Sequence, residues 1–260
     1  ERDDASTDQP ALGSLTFSAR ELAHTTECVL VKGPQGSGKT AMLKQLYSDL
    51  LSQQKVPVYI NGIRLKNSSA KEIEKLIQTC IHEQYAGADA LQAEQSHPKN
   101  RVLLVDNLDR YSFPARYLSQ VLAHFNLQFS RVVATVDSSF DLQEIFLGED
   151  QPALQGFEQM RLPETGFSQR YELVTKWFEL SQSSPLLDQQ IEMADRVISR
   201  VLGRGLVPSH PIYVLILLQG IEAGRVGELE NSALGHYYEY MILEALNPKI
   251  RPEHLHEILN

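Results

Sequence analysis

Apolar residues in the first part of the chain fall in short continuous runs, separated by stretches with a helical period. Such runs are typical of strands buried on both faces of a parallel sheet. The runs that we interpret as strands are 28–31, 56–60, 101–105, 131–136 and 159–162. The helical pattern between them covers 41–54, 69–84 and 115–126. Alternating strands and helices predict an α/β fold with a mostly parallel five-stranded sheet and right-handed crossovers.

The pattern changes after Pro163, where no run with strand character follows. The helical stretches in this part are 167–181, 187–202, 211–223 and 232–246. We therefore predict three segments: a linker with a lead-in helix over 1–24, an α/β core over 25–162, and an all-helical subdomain over 163–260. Whether the last segment contains the start of a winged-helix region stays open.

Composition narrows the class of protein. With 260 residues, 42% of them hydrophobic, the chain can bury one large domain and a smaller one. Its formal net charge of −9 disfavours a general nucleic-acid-binding surface without excluding a local basic patch. Cys28 and Cys80 fall in apolar stretches, which favours core thiols in a reducing compartment.

Localisation follows from the apolar runs and the first residues. The longest apolar run, 212–218, is too short to cross a bilayer, and the acidic, polar start does not resemble a signal peptide. We expect a cytoplasmic protein without a membrane partner. The chain begins at Glu1 and ends in a helical pattern, so we also expect it to be part of a longer protein.

A glycine-rich loop joins the first strand to the first helix. Its sequence fits G-x-x-x-x-G-K-T, the phosphate-binding loop of P-loop NTPases. Glycines let backbone N–H groups converge on phosphates, and the helix N-terminus adds a positive dipole end. Lys39 is predicted to reach the β- and γ-phosphates, and the Thr40 hydroxyl to bind Mg²⁺. The predicted nucleotide-binding residues of this segment are Gly33, Pro34, Gln35, Gly36, Ser37, Gly38, Lys39, Thr40 and Ala41.

Two aspartates follow the most apolar strand. Asp106 stands at the carboxyl end of that strand, where a parallel sheet places ligand-binding groups, and is predicted as the Walker B residue and second magnesium ligand. Asp109 is predicted as the residue that orients or deprotonates the attacking water. A cap or turn role is the alternative for Asp106 and has equal weight for Asp109. Lys39, Asp106 and Asp109 form the predicted catalytic set.

Further polar residues are candidates for sensing the γ-phosphate. Asp137 and Ser138 follow the fourth strand, with capping of the next helix as the alternative. Four arginines are candidates for phosphate contact, with a solvated surface position as the alternative: Arg110, Arg116, Arg131 and Arg161. Ser209 is predicted as the N-cap, and Pro211 as a first-turn residue, of an apolar helix. For His210 between them, a partly exposed position in this capping segment is the alternative to an approach to a bound nucleotide.

The two Walker motifs, the strand that ends in Thr135-Val136-Asp137 and the trailing helices resemble the AAA+/STAND branch of P-loop NTPases, in particular NACHT- and NB-ARC-like bacterial STAND proteins. Segments 162–167, 207–215 and 235–240 are similar to stretches of those proteins. The resemblance implies that Pro211 closes over the base. Two departures concern the switch rather than the nucleotide site. The 131–136 strand lacks the sensor arginine of NB-ARC proteins, and the winged-helix histidine motif is absent from the sequence.

The resemblance implies a slow, Mg²⁺-dependent ATPase that acts as a switch with ATP and ADP. Such proteins exchange ADP for ATP when a sensor domain detects a ligand, associate through the NTPase core, and activate an effector; many bacterial members act in antiphage defence. The sensor and effector would lie outside this chain. One alternative is an ORC/Cdc6-like DNA-binding initiator ATPase, for which Tyr59-Ile60-Asn61-Gly62 has a parallel. Another is a scaffold that holds nucleotide without catalysis.

Overall fold

The structure is a computed structural model that describes Leu22, His24 and residues 28–140, 157–181, 187–202 and 208–224. Apart from three residues of the glycine loop, the chain divides into two compact units between Pro163 and Glu164.

The first unit is a parallel sheet with helices between its strands. Its strands are β1 (Cys28–Lys32), β2 (Val56–Asn61), β3 (Arg101–Asp106), β4 (Arg131–Val136) and β5 (Phe157–Arg161). Its α-helices within the described residues are α1 (Lys39–Ser52), α2 (Ala70–Gln84), α3 (Ala88–Gln95) and α4 (Leu118–Gln128). Short 3₁₀ turns occur at Gly62–Arg64, Pro98–Asn100, Leu108–Arg110 and Ala115–Tyr117.

The strands lie in the order β2-β3-β4-β1-β5, and every described pairing is parallel. The predicted five-stranded α/β fold is therefore confirmed. β4 is buried along its whole length and β3 along all but its first residue, as expected for central strands covered by helices on both faces. This order places β4 between β1 and β3, so the carboxyl ends of these three strands adjoin.

Alternate residues of the strands supply the two cores of the first unit. Leu30 and Leu103 belong to the core on the side of α2 and α4, whereas Val29 and Leu104 belong to the core under α1. The period-2 alternation of β-strands produces this division. Each apolar run along a strand therefore supplies core residues to both faces of the sheet.

Side chains at and directly after the end of α2 form hydrogen bonds with the outer edge of β2. The backbone N–H of Tyr59 donates to Gln84 Oε1 at 2.8 Å, and Gln84 Nε2 donates to the Tyr59 carbonyl at 2.6 Å. The Tyr85 hydroxyl donates to the Pro57 carbonyl at 2.7 Å. Edge strands expose unpaired backbone groups that can pair with other chains, and these contacts remove that exposure.

Some sequence-based boundaries differ from the structure. Helix α3 was not predicted, because its buried face consists of only Ala90 and Ala93 and gives a weak apolar period. β5 covers Phe157–Arg161 rather than 159–162. Of the predicted lead-in helix, Leu22 and His24 are described and helical. The predicted helix 232–246 and any winged-helix region lie outside the described residues.

The second unit is helical in its described residues, with α5 (Phe167–Ser181), α6 (Leu187–Leu202) and α7 (Pro211–Glu222). Val174, Ile198 and Val214, one from each helix, are fully buried together in its core. The buried Arg170 guanidinium donates to Ser199 Oγ at 2.7 Å and lies 3.4 Å from Asp195, which ties α5 to α6. No helix among the described residues has both the length and the apolar character needed to cross a bilayer.

Candidate nucleotide-binding site

The candidate site begins where β1 ends and α1 starts. Gly36 and Gly38 have φ of 75° and 97°, conformations that residues with a side chain rarely adopt. The Lys39 side chain turns back over the loop, where its ammonium donates to the carbonyls of Gly33 at 2.6 Å and Pro34 at 2.9 Å. Lys39 is only 8% exposed. The loop therefore holds a positive charge at the N-terminus of a 14-residue helix.

The loop also contains a hydroxyl group that is available to a ligand. The Ser37 hydroxyl is buried and lacks a hydrogen-bond partner among the described residues. Buried polar groups in proteins are nearly always paired, and phosphate oxygens would supply such a partner. Gln35, Thr40 and Ala41 are exposed beside the loop. These features fit an anion of the phosphate type.

Asp106 is a buried carboxylate that accepts hydrogen bonds from three hydroxyl groups. Its Oδ2 accepts hydrogen bonds from Thr40 Oγ1 at 2.7 Å and from the Tyr59 hydroxyl at 2.8 Å. Its Oδ1 accepts one from Thr135 Oγ1 at 2.7 Å. Asp106 is 1% exposed, so these donors take the place of water around the carboxylate. Asp106, at the end of β3, thus contacts residues of α1, β2 and β4 through one carboxylate.

The donor set fits a magnesium ion bound with a nucleotide. Mg²⁺ prefers oxygen ligands and is usually held by one or two carboxylates together with substrate phosphates. Thr40 and Asp106 supply a hydroxyl and a carboxylate in contact, and they are the residues that would hold the ion. The described residues contain no group of three or more His, Cys, Asp and Glu able to bind a metal without a phosphate. When bound, Mg²⁺ would neutralise phosphate charge.

Asp109 lies in the 3₁₀ turn that follows β3. Its Oδ1 accepts a hydrogen bond from the Asp137 backbone N–H at 3.3 Å, and its Oδ2 lies 3.6 Å from the Arg110 guanidinium. Burial raises the pKa of the Asp109 carboxyl, and its hydrogen bonds and Arg110 only partly oppose this effect. A carboxylate with a raised pKa at the carboxyl edge of the sheet is suited to accept a proton from water.

Asp137 directly follows β4 and lies next to Asp109. Its carboxylate accepts hydrogen bonds from the Ser139 backbone N–H at 3.0 Å and the Ser139 hydroxyl at 2.8 Å. Burial alone would raise the pKa of Asp137, but the Ser139 hydrogen bonds, Lys39 and Arg110 outweigh it and lower that pKa. The side chain is thus held in a local turn with its charge retained. Ser138 is exposed beside it.

The arginine candidates differ in position. Arg131 begins β4, at the opposite edge from the glycine loop, and its buried guanidinium donates to the Leu22 carbonyl at 2.5 Å. It is therefore a structural residue of the core, neither a surface arginine nor a phosphate contact. Arg116 lies over the Tyr117 ring at 4.8 Å, and Arg161 ends β5 beside Lys32 of β1. Arg110 alone contacts a residue of the predicted catalytic set in the described part of the chain.

Pro211 and His210 belong to the second unit. Pro211 is the first residue of α7, as predicted, but the N-cap residue is His210 rather than Ser209, and His210 is buried rather than partly exposed. The predicted contact of Pro211 with a nucleotide base stays a prediction. The roles of Lys39, Thr40, Asp106 and Asp109 stay predictions as well, although the structure brings Thr40 and Asp106 into contact.

Sequence reasoning missed two residues of the Asp106 network. Tyr59 was noted only for a motif parallel, and Thr135 only as part of a strand end. Both stand within two residues of a strand's carboxyl end, Tyr59 in β2 and Thr135 in β4. Polar side chains in otherwise apolar parallel strands were the available signal, because such positions are buried and need a partner.

A strand, a glycine loop with Lys39 and Thr40, and an acidic residue at the end of a neighbouring strand define a P-loop NTPase fold. The particular family follows from the sequence profile described as the NACHT domain, which matches residues 27–181. Because this match spans more than half of the chain, the protein belongs to the NACHT family of STAND-class P-loop NTPases.

Solved structures of AAA+ proteins share the fold at low sequence identity. The Aeropyrum pernix ORC2 protein, in ADPNP–ADP complexes, aligns with a TM-score of 0.51 and 14% identity over 90% of this chain and 73% of its own. The Aeropyrum pernix ORC1 protein in complex with DNA gives the same TM-score and identity over 90% and 68%. AMPPCP-bound DnaA from Aquifex aeolicus gives 0.47 and 14% over 92% and 69%. No curated protein matches the chain.

Proposed function

We propose that this NACHT domain is an ATP-dependent switch that binds ATP or ADP with Mg²⁺ and hydrolyses ATP slowly. The observation that carries the proposal is the 2.7 Å hydrogen bond between Thr40 Oγ1 and Asp106 Oδ2. It joins the helix that follows the phosphate loop to the acidic strand end, which are the two protein groups that hold nucleotide-bound magnesium in P-loop NTPases. A turn or cap role for Asp106 would not require this contact with Thr40.

Each residue of the site has a defined task in this proposal. The loop backbone and the Lys39 ammonium bind the β- and γ-phosphates, exchanging the Gly33 and Pro34 carbonyls for phosphate oxygens. Thr40 and Asp106 hold the magnesium ion. Asp109 orients or deprotonates the attacking water, for which its raised pKa suits it. The proposed rate is slow because the described residues offer one arginine, Arg110, beside the catalytic carboxylates, and this arginine is already paired with Asp109.

The switch role rests on the family and on the helical second unit. We propose that the nucleotide state controls self-association through the NTPase core and the activity of an effector in a longer, cytoplasmic protein. Sensor and effector domains would be encoded outside residues 1–260. A function in antiviral defence rests on the resemblance to bacterial STAND proteins alone.

The test determines the nucleotide bound to the purified chain, its rate of ATP hydrolysis and its molar mass. The purified chain is analysed for retained ADP or ATP, for ATP hydrolysis with and without Mg²⁺, and for molar mass with ADP or a non-hydrolysable ATP analogue. We expect retained nucleotide, magnesium-dependent turnover well below 1 per second, in the low range for such enzymes, and a larger mass with the analogue. A monomer that hydrolyses ATP rapidly in every condition would contradict the switch, and a protein without nucleotide affinity would contradict the whole proposal.

The initiator alternative predicts a different result. An initiator would bind duplex DNA with ATP, and its affinity would fall steeply with salt because phosphate contacts release counterions. The net charge of −9 weighs against this alternative. Absence of salt-dependent DNA binding in the presence of the ATP analogue would exclude it.

A further inference from the structure

The Tyr59 hydroxyl links the outer strand of the sheet to the carboxylate of Asp106. It donates to Oδ2 at 2.8 Å, the same oxygen that accepts from Thr40. We propose that Tyr59 is a positioning residue that orients Asp106 for magnesium, and that Gln84 holds Tyr59 in place for this task. The inference rests on the proposed magnesium–nucleotide site and names a residue that neither Walker motif contains.

Tyr59 is needed to orient Asp106 because the Thr40 hydroxyl serves the magnesium ion as well as Asp106. A Thr40 hydroxyl that ligates magnesium through an oxygen lone pair can still donate its one proton to Asp106, but its position is then set by the ion as well as by the carboxylate. Thr135 on Oδ1 and Tyr59 on Oδ2 are the two donors to Asp106 whose positions are set by the sheet and not by the ion. One donor on each oxygen restricts rotation of the carboxylate plane, whereas a single donor leaves that rotation free. Such outer partners commonly determine metal affinity.

Tyr59 is itself held from the outside of the sheet. Its backbone N–H and C=O face away from β3, and the Gln84 side-chain amide pairs with both, at 2.8 and 2.6 Å. Gln84 is the last residue of α2. This two-point contact fixes the Tyr59 backbone as a neighbouring strand would, and it connects the end of α2 to Asp106 through one residue.

The chain after Tyr59 is packed closely against the segment after Asp106. A Cβ atom at Gly62 would lie 2.0 Å from the Asn107 carbonyl oxygen. Further on, the Ser112 backbone N–H donates to the Leu65 carbonyl at 2.9 Å. The two segments therefore have little freedom to move apart, which keeps the Tyr59 hydroxyl within reach of Asp106.

The experiment compares magnesium dependence in Tyr59→Phe and the parent chain. The substitution keeps the ring and removes only the hydroxyl. A fluorescent, non-hydrolysable ATP analogue is titrated at a series of magnesium concentrations, so the readout is binding rather than turnover. We expect unchanged affinity without magnesium and about a tenfold higher magnesium concentration for half-maximal tightening. Gln84→Leu should shift this concentration in the same direction by a smaller factor.

Tyr85→Phe is the matched control. It removes a hydrogen bond from the same edge, the one to the Pro57 carbonyl, without touching Tyr59 or Asp106. It should leave the magnesium dependence as in the parent chain. Thermal unfolding of all three variants shows whether each remains folded.

Three results would overturn the positioning role. They are an unchanged magnesium dependence in Tyr59→Phe, an equal loss of affinity with and without magnesium, and failure of this variant to fold, which would assign the hydroxyl to stability. Failure of the proposed function itself has a different signature, because then the parent chain would bind no nucleotide at any magnesium concentration.

Discussion

Thr135 Oγ1 donates a hydrogen bond to Asp106 Oδ1 at 2.7 Å and accepts one from the Asn107 backbone N–H at 3.0 Å. Both Thr135 and Asp106 are buried. The hydroxyl of one strand therefore satisfies the carboxylate and the following backbone amide of its neighbour, and it connects β4 to the acidic end of β3.

Thr135→Val should destabilise the fold. Valine keeps the shape of threonine but leaves a buried carboxylate with one donor fewer, which costs about 1.5–3 kcal/mol of unfolding free energy. Denaturant unfolding measures the loss. Thr79→Val is the control, since the Thr79 hydroxyl is on the exposed face of α2 and bonds its own helix, and its effect should stay within about 0.5 kcal/mol. Equal effects of the two substitutions would contradict the assignment.

Gly62→Ala tests the close approach between the ends of β2 and β3. The added Cβ would lie 2.0 Å from the Asn107 carbonyl oxygen and 3.0 Å from Leu108 Cα, so backbone must shift. We expect a loss of about 1–3 kcal/mol in unfolding free energy, together with weaker magnesium-dependent nucleotide binding.

Gly166→Ala is the matched control for that substitution. A Cβ at Gly166 meets no heavy atom within 4 Å, and its backbone is not in the left-handed region. This variant should unfold within about 0.5 kcal/mol of the parent chain. A stable Gly62→Ala protein with normal binding would show that the two segments separate easily.

Asp109→Asn should separate nucleotide binding from hydrolysis. The amide oxygen can still accept the Asp137 N–H, but it cannot accept a proton from water, so turnover should fall by about 10²–10⁴-fold with unchanged ATP affinity. Asp89→Asn, at an exposed position of α3, is the control and should retain turnover. Undiminished hydrolysis in Asp109→Asn would return Asp109 to a turn role.

The same substitution has a pH signature. Because burial raises the pKa of Asp109 in the folded state, this group favours folding below its unfolded pKa of about 3.9, and that contribution is lost as pH rises through the folded pKa. Asparagine carries no such titration. The stability of Asp109→Asn relative to the parent chain should therefore increase between acidic and neutral pH in denaturant unfolding. A difference independent of pH, or one that decreases, would contradict the raised pKa.

Residue pattern was sufficient for most of the fold. The runs at 101–105 and 131–136 predicted β3 and β4 because strands covered on both faces are mostly apolar. Helix α3 escaped prediction because alanines at Ala90 and Ala93 suffice to pack it, and an apolar period is then hardly visible. The strand order could not be predicted from local sequence patterns either, because it depends on how the crossover connections pack together.

The parts of the candidate site that could be predicted are those whose functional residues lie together in one short segment. The glycine loop and Asp106 follow from motif and position, whereas Tyr59 and Thr135 reach Asp106 from strands that are distant in sequence. For Arg131 the sequence left open a phosphate contact or a solvated surface position, and both differ from its buried position, because its charge was considered without its place in the strand. Ligands bind at the carboxyl ends of parallel strands, whereas Arg131 is at the amino end of β4. Its guanidinium is accordingly buried against the Leu22 carbonyl.

Lys39→Ala tests the central claim most directly, with Lys44→Ala, an exposed residue of the same helix, as the control. Binding of a fluorescent ATP analogue with Mg²⁺ is measured by equilibrium titration, and thermal unfolding verifies that both variants are folded. The account predicts at least a ~100-fold weaker affinity for Lys39→Ala, since a buried charge contact to phosphate is lost, and parent-like affinity for Lys44→Ala. Parent-like affinity in a folded Lys39→Ala protein would contradict the assignment of this loop as the nucleotide site.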